Sequence, residues 1–569
     1  MTITPRQIGA LVLGLAVLGI PDSMPRASIL DTRHNLSISG PGPVKSTTEG
    51  EVCVFCHAPH DTRRDVPYLW NRQDTTTNYI PYESSTLHAT VGQPTGASKL
   101  CLSCHDGTVA MGALLNRPAE VPFEGGVRFI PEGRGKLGSD LSDDHPVSFP
   151  YDSALAASNP ELADPLNLPP QLQLDRNREL QCTACHDPHD DLFGKFLVMS
   201  NQYSALCTSC HAVDGWPLSG HALSNAQWSG TGADPWPNST YDTVAENACG
   251  SCHVSHAAGG HARLMNYAIE EDNCLVCHTG NVAAKDIGDE LTKVYGHFVQ
   301  NYAGVHDPAE DFAQGGVPKH VECADCHNPH QSNATPSLGA PFVSGAIQGV
   351  SGIDAAGLAV SAAQYEYEIC FKCHGDSNVS TSLSISRQIP QLNTRLEFDP
   401  ANPSFHPVTA VGVNPNVPSL LPPQTTSSRT ACTDCHSNDD SFGPRGPHGS
   451  SQPYLLAGNY LTADNSSESP GAYELCYGCH SRASILADQS FPTHYLHIVT
   501  SNTPCSACHD PHGVSASQGN GVNNTHLINF DLNIVQPDSL GRLYWEDTGT
   551  YTGQCYLSCH GRDHAPLPP

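Results

Sequence analysis

The 24 cysteines of this chain fall into twelve pairs, and a histidine follows each pair at once. Eleven pairs read C-x-x-C-H: Cys53/Cys56/His57, Cys101/Cys104/His105, Cys182/Cys185/His186, Cys207/Cys210/His211, Cys249/Cys252/His253, Cys274/Cys277/His278, Cys323/Cys326/His327, Cys370/Cys373/His374, Cys432/Cys435/His436, Cys476/Cys479/His480 and Cys505/Cys508/His509. The twelfth, Cys555/Cys559/His560, has one extra residue between its cysteines. With histidine at about one residue in twenty, twelve chance repeats have a probability of roughly ten to the minus fifteen. Two thiols and a following histidine attach c-type haem: the thiols form thioethers to the vinyl groups and the histidine is the proximal iron ligand. A zinc ribbon would repeat C-x-x-C without the obligatory histidine. A disulfide framework would not pair cysteines at one fixed local spacing. The motifs therefore predict twelve covalent haems.

That load restricts the fold. There is one motif per about 47 residues, too little protein to wrap each cofactor in a core of ordinary size. Hydrophobic residues make up 38% of the chain, which also holds 49 glycines and 46 prolines, a composition that leans towards loops. The fold class expected is a multihaem cytochrome c, mostly coil with short helices around a chain of stacked haems and little β structure. A formal charge of −30 argues against nucleic acid and anionic membranes as partners and suits a basic redox partner.

Residues 1–27 read as an export signal, with Arg6 as the charged start, an apolar run from Ile8 to Ile20, and Pro21 as its breaker. Thirteen apolar residues are short for a membrane span. Export to the periplasm or cell surface fits the chemistry of haem attachment. Soft boundaries near 150 and 345 divide the rest into an N-terminal dihaem region (28–150), a central pentahaem region (151–345) and a C-terminal pentahaem region (346–569). A continuous haem row would cross both.

The sixth ligands follow from arithmetic. There are 31 histidines, and the twelve motifs use one each; only five methionines exist. Large-scale His/Met ligation is excluded, and bis-histidine ligation, which favours low potentials, can be complete. Five motifs extend to C-H-x-x-H, ending at His60, His189, His256, His330 and His512; proline precedes the last histidine in four of them. Proline ends the attachment helix and turns that histidine outward. Three residues are too few to reach round the macrocycle, so it should bind a neighbouring haem. The other distal candidates are His34, His145, His221, His320, His406, His448, His497 and His564. His297, His306, His494 and His526 are reserves, and His88 and His261 the expected spares.

Several segments resemble the doubled-CXXCH multihaem cytochromes of dissimilatory metal-reducing bacteria. They include Cys53-Val-Phe-Cys-His-Ala-Pro-His60, Ser98-Lys-Leu-Cys101-Leu-Ser-Cys-His-Asp-Gly, Asp144-His-Pro-Val, Tyr365-Glu-Tyr-Glu-Ile-Cys-Phe-Lys-Cys-His374 and Thr503-Pro-Cys-Ser-Ala-Cys-His-Asp-Pro-His512. The resemblance implies a periplasmic or cell-surface electron carrier with bis-histidine low-spin haems in a stacked chain. It also implies partners: other c-type cytochromes, an outer-membrane porin–cytochrome conduit, extracellular metal oxide, or further copies in a filament. The C-x-x-x-C-H spacing of the twelfth motif departs from the group.

Two functions compete. One is a conduit that moves electrons without substrate chemistry. The other is a multihaem reductase for nitrite, hydroxylamine or a sulfur oxyanion, which needs at least one iron with an open position. All twelve proximal positions are histidine and the spare histidines suffice to close every iron, which favours the conduit.

Overall fold

The computed structural model describes residues 28–63, 68–304, 306–307, 310, 320–377 and 385–567. The expected export segment lies outside them. Most of the described chain is coil with short helices, as expected from the density of the motifs. Eleven motifs sit on single helical turns, such as Cys53–Phe55, Cys182–Cys185, Cys323–Cys326 and Cys505–Ala507, or end a short helix. In these turns the histidine amide reaches back to the carbonyl of the first cysteine, at 2.8 Å for His57 to Cys53 and 2.9 Å for His327 to Cys323. That i to i−4 bond gathers two thiols and an imidazole onto one turn. Turns this short are not stable alone.

Two motif helices are longer because the chain pins them. Helix α1, Gly96–His105, buries Leu100 and Leu102. Buried Arg72 clamps it, donating to the carbonyl of Ser103 at 3.1 Å and to those of Ala110 and Met111 at 3.1 and 2.7 Å. Helix α2, Glu366–His374, is closed at its start by Glu368, which accepts from the amide of Tyr365 at 3.1 Å, and it buries Tyr367, Ile369 and Phe371. Both helices end on the motif histidine. Apolar packing is divided among small clusters, for example Val54, Phe55, Met111, Leu114, Val121 and Phe123 around the first motif.

The one larger sheet among the described residues is C-terminal. Strand β1 (Val535–Gln536) pairs with β3 (Thr552–Cys559), which lies between β2 (Tyr544–Gly549) and β4 (Arg562–Leu567). The two cysteines of the twelfth motif are on β3, in extended backbone rather than a helical turn, and His560 follows in the turn to β4.

Consecutive motifs adjoin in space, and their cysteines alternate. First cysteines meet between motifs 2 and 3 (Cys101, Cys182), 4 and 5 (Cys207, Cys249), 6 and 7 (Cys274, Cys323), and 8 and 9 (Cys370, Cys432), each within hydrogen-bonding reach. Cys476 and Cys505 continue the series. Second cysteines adjoin within the intervening pairs: Cys56 and Cys104, Cys185 and Cys210, Cys252 and Cys277, Cys326 and Cys373, Cys435 and Cys479. Cys508 adjoins Cys555 and Cys559. The motifs thus form one row in sequence order. A cavity of about 4500 Å³ runs along the first eight of them, lined from Cys53 to Cys370. An ordinary ligand pocket reaches only about 1,000 Å³.

Candidate haem-ligand sites

A metal–imidazole bond is about 2.0–2.1 Å, so two rings facing across one metal have centroids about 6.3 Å apart. Twelve histidine pairs stand at 6.0–6.5 Å. Rings in direct contact are much closer: His34 lies 4.1 Å from Phe196, and His320 lies 4.1 Å from Tyr302. Eleven of the pairs join a motif histidine to a distant one. In motif order they are His57 with His189, His105 with His34, His186 with His256, His211 with His145, His253 with His330, His278 with His221, His327 with His448, His374 with His297, His436 with His512, His480 with His406, and His509 with His494.

A donor rule emerges from this order. Odd motifs 1 to 9 face a histidine that follows the motif two places later. Even motifs from 4 onward face one that follows the motif two places earlier. The rule gives His60, which follows motif 1, no motif to serve, and His60 is exposed. At the far end, motif 11 has no thirteenth motif to draw on and faces His494 instead.

The Pro-His turns explain how one segment serves two neighbouring sites. In His186-Asp-Pro-His189 the Asp187 carboxylate accepts from the His189 amide at 2.9 Å, an Asx turn that aims the imidazole. Asn328 does the same for His330 at 3.0 Å. The proline carbonyl then holds the partner site's histidine: Pro188 O accepts from His34 Nδ1 at 3.0 Å and Pro329 O from His221 Nδ1 at 2.9 Å. Pro511 O holds His406, and Pro447 O holds His297. His189 and His34 thus belong to motifs 1 and 2, and the Pro-His pairs at 329–330, 447–448 and 511–512 likewise serve motifs 5 and 6, 7 and 8, and 9 and 10. The Asx residue is not obligatory: Val254 stands at that position before His256 and Gly446 before His448, and both rings face motif histidines.

Tautomers follow from these bonds. A carbonyl only accepts, so Nδ1 must carry the proton and Nε2 is left with a bare lone pair, the form that binds metal. Motif histidines obey the same rule: Nδ1 of His186, His253, His327, His436 and His509 donates to backbone carbonyls at 2.8–2.9 Å. Burial keeps the rings neutral, pulling His145, His278, His374, His480 and His509 down to about 4. Three distal rings donate Nδ1 to a carboxylate instead: His189 to Asp187 at 3.1 Å, His256 to Asp144 at 2.9 Å and His512 to Glu397 at 2.9 Å. At His512 burial pulls downward, but Glu397 outweighs it and holds the group above the ordinary value.

Two sequence candidates are placed elsewhere. His60 lies at the open end of the row. His320 stacks on Tyr302, and its Nε2 lies 3.2 Å from Glu310 in a cluster with Glu322 and Asp325. Two reserves, His297 and His494, take positions opposite motif histidines. The signal for both was their slot: each lies in the segment after an even motif. The twelfth pair is His497 with His564 at 6.4 Å, while the motif's own His560 directs Nε2 to Asp464 at 2.9 Å.

The cysteine pairs and facing imidazoles fit covalent haem with two axial nitrogens, and they define a multihaem c-type cytochrome. Comparison with known proteins agrees. Residues 176–215 and 424–484 match the family model of the doubled CXXCH motif. The chain is also similar to a protein described as multiheme cytochrome MtrA of Shewanella baltica (strain OS185), with 26% identity over 208 residues. That match covers 35% of this chain and 43% of the relative, so it spans less than half of either. No helix among the described residues is long and apolar enough to cross a membrane.

Proposed function

We propose that the chain is a dodecahaem electron conduit in which every iron is held by two histidines. Bound haem supplies a one-electron centre at each motif. The chain's part is to fix those centres in a row, close each iron, and set each ligand's basicity. The observation that carries this reading is the regular 6.0–6.5 Å spacing of twelve histidine pairs along motifs that adjoin in sequence order. An iron with two imidazoles has no position for nitrite, hydroxylamine or sulfite. The acidic chain suits export and docking on other cytochromes, including a porin-bound one or a mineral-facing one. A low-potential row extending from end to end also suits assembly into longer wires.

The test mixes the fully reduced holoprotein with nitrite, hydroxylamine, sulfite, and a basic oxidised c-type cytochrome. The conduit discharges quickly to the cytochrome and shows no steady-state turnover of the three small oxidants. Turnover of any of them would put the reductase reading in its place.

A further inference from the structure

At the twelfth site, we infer that His497 and His564 are the axial pair and that His560, the residue of the attachment motif, is not an iron ligand. This rests on the haem reading above and concerns which side chain meets the iron.

The strand geometry makes the exchange. In a helical motif the histidine amide bonds back to the first cysteine and brings its ring under the thiols. At the twelfth motif the strand ends on Cys559, so His560 falls in the hairpin turn and makes no helical turn that would bring its ring back under the thiols. Cys555, Leu557 and Cys559 share one face, which packs on Val535 and Trp545. Leu557 is paired across the strands with His564, and directly paired residues lie on the same side of a sheet. His564 is therefore the imidazole on the cysteine face.

His560 is committed elsewhere. It lies with Gly561 in the two-residue turn between β3 and β4, at φ 49° and 73°. Both positive values are those of the turn that closes a tight hairpin. Its Nε2 lies 2.9 Å from Oδ1 and 3.0 Å from Oδ2 of Asp464. Every paired histidine whose bonding nitrogen is given above uses Nδ1, which leaves Nε2 for the facing ring. His497 does so, donating Nδ1 to Thr493 O at 2.8 Å. His560 has the opposite arrangement. The donor rule agrees: an even motif draws on the segment after the motif two places earlier, and His497 follows motif 10.

The test is electron paramagnetic resonance on the haem-loaded full chain, with the haem count checked by mass. His564→Ala should convert one iron equivalent from low-spin to high-spin, and added imidazole should restore it. His564→Met, which keeps a sixth ligand, should leave all iron low-spin and raise the potential of one haem. An all-low-spin His564→Ala spectrum, or a His564→Met titration unchanged from the parent, overturns the assignment. His497→Ala separates the two levels of the argument, since it opens one iron whichever histidine lies opposite. If His497→Ala also stays low-spin, the bis-histidine reading of the twelfth site has failed. If only the His564 variants are silent, His560 is the ligand.

Discussion

Replacing Glu397 with glutamine should raise the potential of one haem, that of motif 9, and leave the others in place. Glu397 is buried and accepts the Nδ1 proton of His512 at 2.9 Å, and His512 faces His436 with ring centroids 6.0 Å apart. A carboxylate behind a ligating imidazole raises its basicity, and removing such a partner costs 10–100-fold in metal affinity. Basic ligands favour the ferric state. If the loss falls on that state, each tenfold is 59 mV for one electron, so the shift is about +60 to +120 mV. Glutamine keeps the shape and still accepts a hydrogen bond, so the iron stays low-spin. The assay is a redox titration followed by electron paramagnetic resonance, resolving single haems by their low-spin signals. A titration that superimposes on the parent's, or a high-spin iron at any potential, refutes the reasoning.

Other outcomes follow from the same geometry. His189→Ala should open one haem and give a high-spin, azide-binding iron, whereas His60→Ala should leave the spectrum unchanged. Arg387, buried, donates to the carbonyls of Ser506 and Asn529 at 2.7 and 2.9 Å and lies 3.4 Å from Asp510; Arg387→Met should lower thermal stability by about 3–5 kcal/mol, read by calorimetry, because it strands a buried charge. Asp439 is pushed up by burial, but bonds from Lys293 and Ser451 more than cancel this and hold it to about 2. A carboxyl held low stabilises above its unfolded value, so this contribution should fade as pH falls from about 4 towards 2. Asp439→Asn should flatten that part of the stability curve.

What the sequence disclosed depended on how local the signal was. The attachment cysteines and their histidines are contiguous, and their meaning is complete within five residues. Coil-rich architecture followed from haem load and composition. The proline before His189, His330 and His512 showed that these rings turn away from their own motif, but not that each faces the motif two places earlier in the chain. That distance is set by the row, which arises from contacts between cysteines up to 81 residues apart, as with Cys101 and Cys182. His60 carries the same local pattern as His189 apart from Ala58, yet it is exposed and is paired with no motif histidine among the described residues. His297 and His494 have no local mark, because a ring that faces a motif histidine needs only to be in the right segment. The extra residue in the twelfth motif was visible. Its placement on a strand depends on pairing with β2 and β4, which no property of the motif itself encodes.

The most direct test of the central claim is the electron paramagnetic resonance spectrum of the oxidised holoprotein, recorded with and without azide, beside its haem count by mass. Twelve haems, all low-spin and indifferent to azide, are what a row of closed bis-histidine sites predicts. A high-spin signal that integrates to one or more irons and shifts with azide would contradict it and place an open, reactive centre in the chain.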